Sequence, residues 1–191
     1  MSALVVDRIG VLVTGEPALG DGPLGVVRDA ALVIEDGRVA AVERAGAQGD
    51  ERLDAAGRCV IPGFVASHTH LVFAGDRGDE FAARMAGALY QAGGIRVTVE
   101  ATRAATREEL ASLAAARRRE ALRAGITHLE VKSGYGLTAE SEARLCSVAG
   151  DLTDDVTFLG AHVVPAEYEG RADEYVELVC GDMLSACAPH A

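Results

Sequence analysis

Tryptophan is absent from this 191-residue chain, and aromatic residues make up only 4% of it. A core built under that restriction packs Ala, Val, Leu and Gly. The 49% hydrophobic content suffices for one large domain or two small ones, at a mean hydropathy of +0.16. Basic residues are also scarce: 18 Lys and Arg against 29 Asp and Glu give a formal charge of −11. Such a surface repels nucleic acid phosphates and anionic lipid, so neither is an expected partner. Long apolar runs are missing, and without roughly 18 consecutive apolar residues no transmembrane helix is expected. The opening "MSALVVDRIGVLVTG" has no basic n-region and no small-residue cleavage site, so no signal peptide is expected. Cysteines are few and scattered: Cys59, Cys146, Cys180 and Cys187 form no CxxC. That excludes a zinc knuckle and a dense disulfide framework, and suits buried thiols in a reducing cytoplasm.

The pattern that is present changes along the chain. Residues 1–62 carry short β-branched runs separated by Gly- and Pro-rich turns. "ALVIEDGRVAAVER" places two alternating runs around Asp36-Gly37, the signal of a tight hairpin. A small β module over 1–62 is the expectation. From residue 63 to 191 the order becomes strand, long helical region, strand, helix, strand, helix. The expected strands are "CVIPGFVASH", read as buried on both faces, then "GITHLEVK" and "DVTFLGAHVVP". The helices are 106–124, with Thr106 as cap and Glu109 three residues on, then "TAESEARLCSVAG" capped by Thr138, then "GRADEYVELVCGDMLSAC". Alternation of this kind predicts an α/β fold with a parallel sheet covered by helices.

Chemistry-bearing residues gather at the strand ends, where parallel α/β folds place their sites. His68 and His70 lie two apart on a strand, so both imidazoles face one spot while Thr69 turns away. Two neutral imidazoles converging on a point suit Zn²⁺ or Fe²⁺; the plainer alternative is a pair of surface or hydrogen-bonded core histidines. The next strand ends on Lys132, Ser133 and Tyr135, and the third on His162. Taken singly, a Tyr between glycines is a loop residue and a lone His a satisfied polar group. Three successive strand ends of this composition favour a site. Arg77, in the loop after His70, could hold a carboxylate bidentately, or stand as an ordinary loop arginine. Gly93-Gly94 could present backbone N–H groups to a ligand, or form a plain turn. His128 and His190 receive no role.

Four stretches of this sequence, "HTHLVFAGDR", "AGGIRVTVEATRAAT", "EVKSGYGLT" and "TFLGAHVVPAEY", together resemble the imidazolonepropionase family of the amidohydrolase superfamily. HxH alone marks the superfamily; the "SGYGL" and "GAHVVPAEY" blocks in this order narrow it. The resemblance implies a small β-sandwich beside a (β/α)8 barrel, with one Zn²⁺ or Fe³⁺ ion in the barrel mouth. It implies hydrolysis of the lactam C–N bond of 4-imidazolone-5-propanoate to N-formimidoyl-L-glutamate, a step of histidine degradation. By motif, His68 and His70 match two metal ligands of the family. Arg77 and Tyr135 match substrate-binding positions. His162 matches the histidine beside the reacting carbonyl. The complete protein could pair as a homodimer.

Two departures stand against the family pattern. Ala66 occupies the place of an Asp that precedes the first metal histidine, a carboxylate able to support the site from behind its ligands. A (β/α)8 barrel also takes roughly 250 residues, more than this chain's 191. The family's later histidine and aspartate ligands find no counterpart after His162, so the expectation is a truncated barrel, inactive alone. The alternatives are a non-catalytic remnant, or another cyclic-amide amidohydrolase, against which "GAHVVPAEY" argues.

Overall fold

The computed structural model describes residues 3–87 and 94–191. The chain divides into two compact units, Met1–Gly63 and Phe64–Ala191.

The first unit is a five-stranded sheet of β1 (Ala3–Val13), β2 (Val26–Glu35), β3 (Arg38–Arg44), β4 (Glu51–Asp54) and β5 (Cys59–Val60). The order is β3-β2-β1-β4, with β5 also on β1. β1 runs antiparallel to β2 and parallel to β4 and β5. The β2–β3 hairpin turns on Asp36 (φ 49°) and Gly37 (φ 74°), the two positive φ values that match the twist of the flanking strands. Ile9, Leu12, Ala30 and Ala55 make one small core, and Val5, Ala31 and Val33 another. Asp7 is buried between them in sequence, its carboxylate accepting from Gly46 N–H (2.8 Å) and from Arg52.

The second unit is a three-stranded parallel sheet in the order β6 (Phe64–Thr69), β7 (Ile126–Lys132), β8 (Val156–Thr157). Between β6 and β7 come α1 (Gly78–Met85), α2 (Gly94–Ala104) and α3 (Arg107–Arg123); between β7 and β8 comes α4 (Ala139–Gly150). α3 starts where its capping box dictates. Thr106 Oγ1 accepts from Glu109 N–H (3.1 Å), and the Glu109 carboxylate accepts from Thr106 N–H (2.8 Å). Leu129 and Val131 of β7 pack against Leu110 and Ala114 of α3 and Leu145, Val148 and Ala149 of α4. α4 also buries Cys146 against Tyr175, Met183 and Cys187. Those three come from α5 (Ala172–Leu178), a π turn over Val179–Met183 and α6 (Leu184–Cys187). Among the described residues no helix is long and apolar enough to cross a membrane.

Three expectations need correction. "CVIPGFVASH" is not one strand: β5 and β6 are separated at Ile61–Gly63, where Pro62 lacks the N–H a ladder requires. β6 is not buried on both faces either, with Phe64 56% and Val65 64% exposed. The third strand stops at Thr157, because Leu159 N–H is taken by Ser133 Oγ (3.1 Å) rather than by a neighbouring strand. His162 therefore lies in a turn beyond β8. Gly93 falls outside the described residues, while Gly94 is buried and begins α2.

Candidate active site

The C-terminal ends of the three parallel strands deliver one cluster of rings. β6 carries His68 on its last turn of backbone and releases His70 just beyond Thr69. The ring centroids of His68 and His70 stand 5.5 Å apart in an edge arrangement. His70 stacks on His162 at 4.8 Å with 10° between the planes. Tyr135, from the loop after β7, lies 5.2 Å from each of these two rings. The Phe73 ring also packs on Tyr135, at 5.7 Å between centroids. Four residues singled out in the sequence, His68, His70, Tyr135 and His162, thus meet although they leave three different strands. Arg77 is half-buried immediately before α1, where its carbonyl accepts from Phe81 N–H (3.0 Å).

Each ring is held through backbone. Thr69 Oγ1 donates to Glu130 O (2.6 Å), tying the end of β6 to β7. Arg117 of α3 donates to the carbonyls of Leu71 and Phe73, both at 2.7 Å, and its guanidinium lies 3.5 Å above the Phe73 ring. His162 Nδ1 is 2.8 Å from Gly134 O. A carbonyl only accepts, so Nδ1 carries the hydrogen, and in the neutral ring Nε2 is left with its lone pair. Gly134 has φ 119°, and a Cβ there would come within 2.9 Å of His162 Nδ1, so the loop needs glycine to bring backbone against the imidazole.

Electrostatics keep the centre of the cluster uncharged. Burial pushes His70 down to about 4, with the neighbouring His162 and His68 adding to the effect. A neutral imidazole is the form that ligates metal, and His70 Nδ1 is buried with no hydrogen-bond partner. In kind, His68 and His70 fit a metal ion. In number they fall short: among the described residues no group of three or more His, Cys, Asp or Glu side chains comes together to hold one. The pair is at most part of a coordination shell.

Two carboxylates escaped the sequence reading. Glu130 of β7 is 7% exposed. One oxygen accepts from Lys132 and from Thr157, and Oε2 has no partner. Its signal was a charge between Leu129 and Val131, on the strand face opposite their core. Glu142 of α4 is fully buried and accepts from Gly134 N–H (2.8 Å), Gly136 N–H (2.7 Å) and Leu137 N–H (2.6 Å). Of the strand-end groups, Ser133 is buried as a backbone tie and Lys132 is paired with Glu130. His128 is half exposed and pairs with Asp155 at 3.2 Å.

No family model matches the sequence. Curated relatives do. The chain is 62% identical over 193 aligned residues to an imidazolonepropionase of Mycolicibacterium smegmatis, and 59% identical over 193 to one of Salinispora arenicola. Along its whole length the chain matches the imidazolonepropionases. Each alignment covers 100% of this chain and 49% of the relative, so the chain spans about half the length of the curated relatives it matches. Solved structures agree at the level of fold. A triazine hydrolase from Arthobacter aurescens superposes with a TM-score of 0.52 at 19% identity, covering 79% of this chain and 34% of that one. A guanine deaminase from C. acetobutylicum gives 0.50 at 13%, covering 82% and 35%. The chain thus shares a mixed α/β fold with these two enzymes.

Proposed function

We infer that this chain supplies the first strands of an imidazolonepropionase barrel, with the β-sandwich module before it. In the complete protein it helps to hydrolyse the lactam of 4-imidazolone-5-propanoate to N-formimidoyl-L-glutamate, in the cytoplasm. The observation that carries this reading is the convergence of His68, His70, Tyr135 and His162 at one end of a parallel sheet. Similarity to imidazolonepropionases supplies the reaction.

The residues divide the work as follows. His68 and His70 would hold one Zn²⁺ or Fe³⁺ ion together with ligands from later in the protein. When bound, such an ion supplies hydroxide near neutral pH and polarises a carbonyl, which a poorly electrophilic lactam needs. His70 is held neutral by burial, ready to ligate. His162 faces the lactam with Nε2, since Nδ1–H is committed to Gly134 O. Its neutral ring accepts from a lactam N–H. It donates to a developing oxyanion only once it has taken up a proton. Tyr135 orients the substrate ring beside it, and Arg77 holds the propanoate carboxylate.

The test is a panel of cyclic amides offered to the complete, metal-loaded protein. Ring opening confined to 4-imidazolone-5-propanoate supports the assignment. Preference for another lactam or imide replaces it with a different amidohydrolase. A second reading follows because no third metal donor joins the pair among the described residues: the 191-residue chain alone is non-catalytic. Metal-dependent turnover by that chain would contradict it.

A further inference from the structure

We propose that Glu142 is a positioning residue for the site, fixing the Ser133–Leu137 loop and, through Gly134, the tautomer of His162. This rests on the reading of Tyr135 and His162 as substrate contacts. Glu142 sits on α4, fully buried, and its hydrogen bonds go to backbone N–H groups, not to an imidazole. Its two oxygens accept three consecutive-region N–H groups: Oε2 from Gly134, Oε1 from Gly136 and Leu137. Hydrogen bonds from backbone N–H to a carboxylate are stronger than neutral ones, so three of them anchor the loop firmly. They are needed because the loop has no ladder to satisfy it. Gly134 has φ 119° and Leu137, a non-glycine residue, has φ 56°. The latter is a conformation that persists only when the surroundings hold it. Gly136 has no room for a side chain: a Cβ would lie 2.7 Å from Glu142 N.

The consequence reaches the ring cluster in two ways. Tyr135 is flanked by the anchored glycines, so its ring is presented to His70 and His162 with little freedom. Gly134, gripped at its N–H by Glu142, offers its carbonyl to His162 Nδ1 at 2.8 Å. Were that carbonyl to swing away, both neutral tautomers of His162 would become accessible, and Nε2 would no longer be reserved as an acceptor. A neutral glutamine in place of Glu142 keeps the volume but has one acceptor oxygen, and its NH₂ group faces backbone donors.

The experiment compares wild type with Glu142→Gln in the complete protein, at one fixed alkaline pH where imidazoles are neutral. It reads amide exchange at Gly134, Gly136 and Leu137 and the ring-nitrogen resonances of His162. The expected result is exchange about tenfold faster or more at these amides, and a mixed tautomer signal in place of a single Nδ1–H form, with far-UV dichroism unchanged. Unaltered exchange with a pure Nδ1–H ring in Glu142→Gln would overturn the proposal. If Glu142→Gln does not fold, wild type decides: free-loop exchange rates at the three amides, or an Nε2–H ring at His162, overturn it, and slow exchange with Nδ1–H sustains it. Steady-state kinetics separate the two layers. Altered exchange and tautomer in a protein that opens no imidazolone ring would leave Glu142 as the loop anchor and remove the proposed function.

Discussion

His70 and His162 stack face to face, 4.8 Å between centroids and 10° between planes, although one follows β6 and the other lies beyond β8. Two like rings so placed cannot both carry charge cheaply, and burial already holds His70 neutral. The arrangement therefore offers an uncharged nitrogen donor from His70, with His68 beside it, on one side and a backbone-oriented imidazole on the other. That division fits the metal-assisted ring opening proposed above.

The first prediction concerns the His68 and His70 pair. His68→Ala or His70→Ala in the complete protein should lose most of its bound metal, measured by elemental analysis after gel filtration. A full equivalent retained by either variant would refute its ligand assignment.

Arg117 anchors the backbone that leaves the histidine pair, with both its carbonyl contacts at 2.7 Å. Arg117→Met keeps the stem and removes the donors, leaving two carbonyls unpaired. The expected loss is about 2–3 kcal/mol, read from urea midpoints of the 191-residue chain. Arg117→Lys should recover only part, since a compact ammonium does not stack on the Phe73 ring as the planar guanidinium does. An unchanged midpoint in Arg117→Met would show that the loop is held by other means.

Much of this was legible from local chemistry. The Asp36-Gly37 hairpin, the Thr106 and Glu109 capping box and the Thr138 cap all lie within a few residues of the groups they satisfy. The His68 and His70 pair was legible for the same reason, because spacing of two on a strand sets direction. What was not legible depends on partners far along the chain. The shortness of β8 follows from Ser133 capturing Leu159 N–H. Glu142, near the start of a helix, reads in sequence as an ordinary complement to the helix dipole. Only the return of the Gly134–Leu137 backbone onto it shows its role. Likewise the His70 and His162 stack needs three strands in register before it exists.

The turn that carries His162 is fastened by Tyr175, whose hydroxyl donates to Gly160 O at 2.7 Å in the core. Tyr175→Phe should destabilise the chain by about 1–2 kcal/mol, measured by chemical denaturation, and broaden the His162 ring signals. A variant as stable as wild type with unchanged His162 resonances would contradict this.

The thiols should separate into two classes. Cys59 and Cys180 are exposed, while Cys146 and Cys187 are buried. A disulfide reagent should modify the first two quickly and the others only on unfolding. Burial pushes Cys187 up to about 12, with Cys146 and Glu142 adding to the rise. A raised folded value means that its contribution to stability is complete below the free-thiol range, near pH ~8.5, and is lost as pH climbs through about 12. Cys187→Ala should flatten part of that alkaline decline. Uniform modification of all four thiols in the native chain would contradict the packing.

The most direct test of the central claim is ring opening by the complete protein in heavy-oxygen water, with the product weighed by mass spectrometry. Hydrolysis at the lactam carbonyl puts one heavy oxygen into the new carboxylate of N-formimidoyl-L-glutamate, and that is the predicted result. No product, or a product without solvent oxygen, would contradict the account.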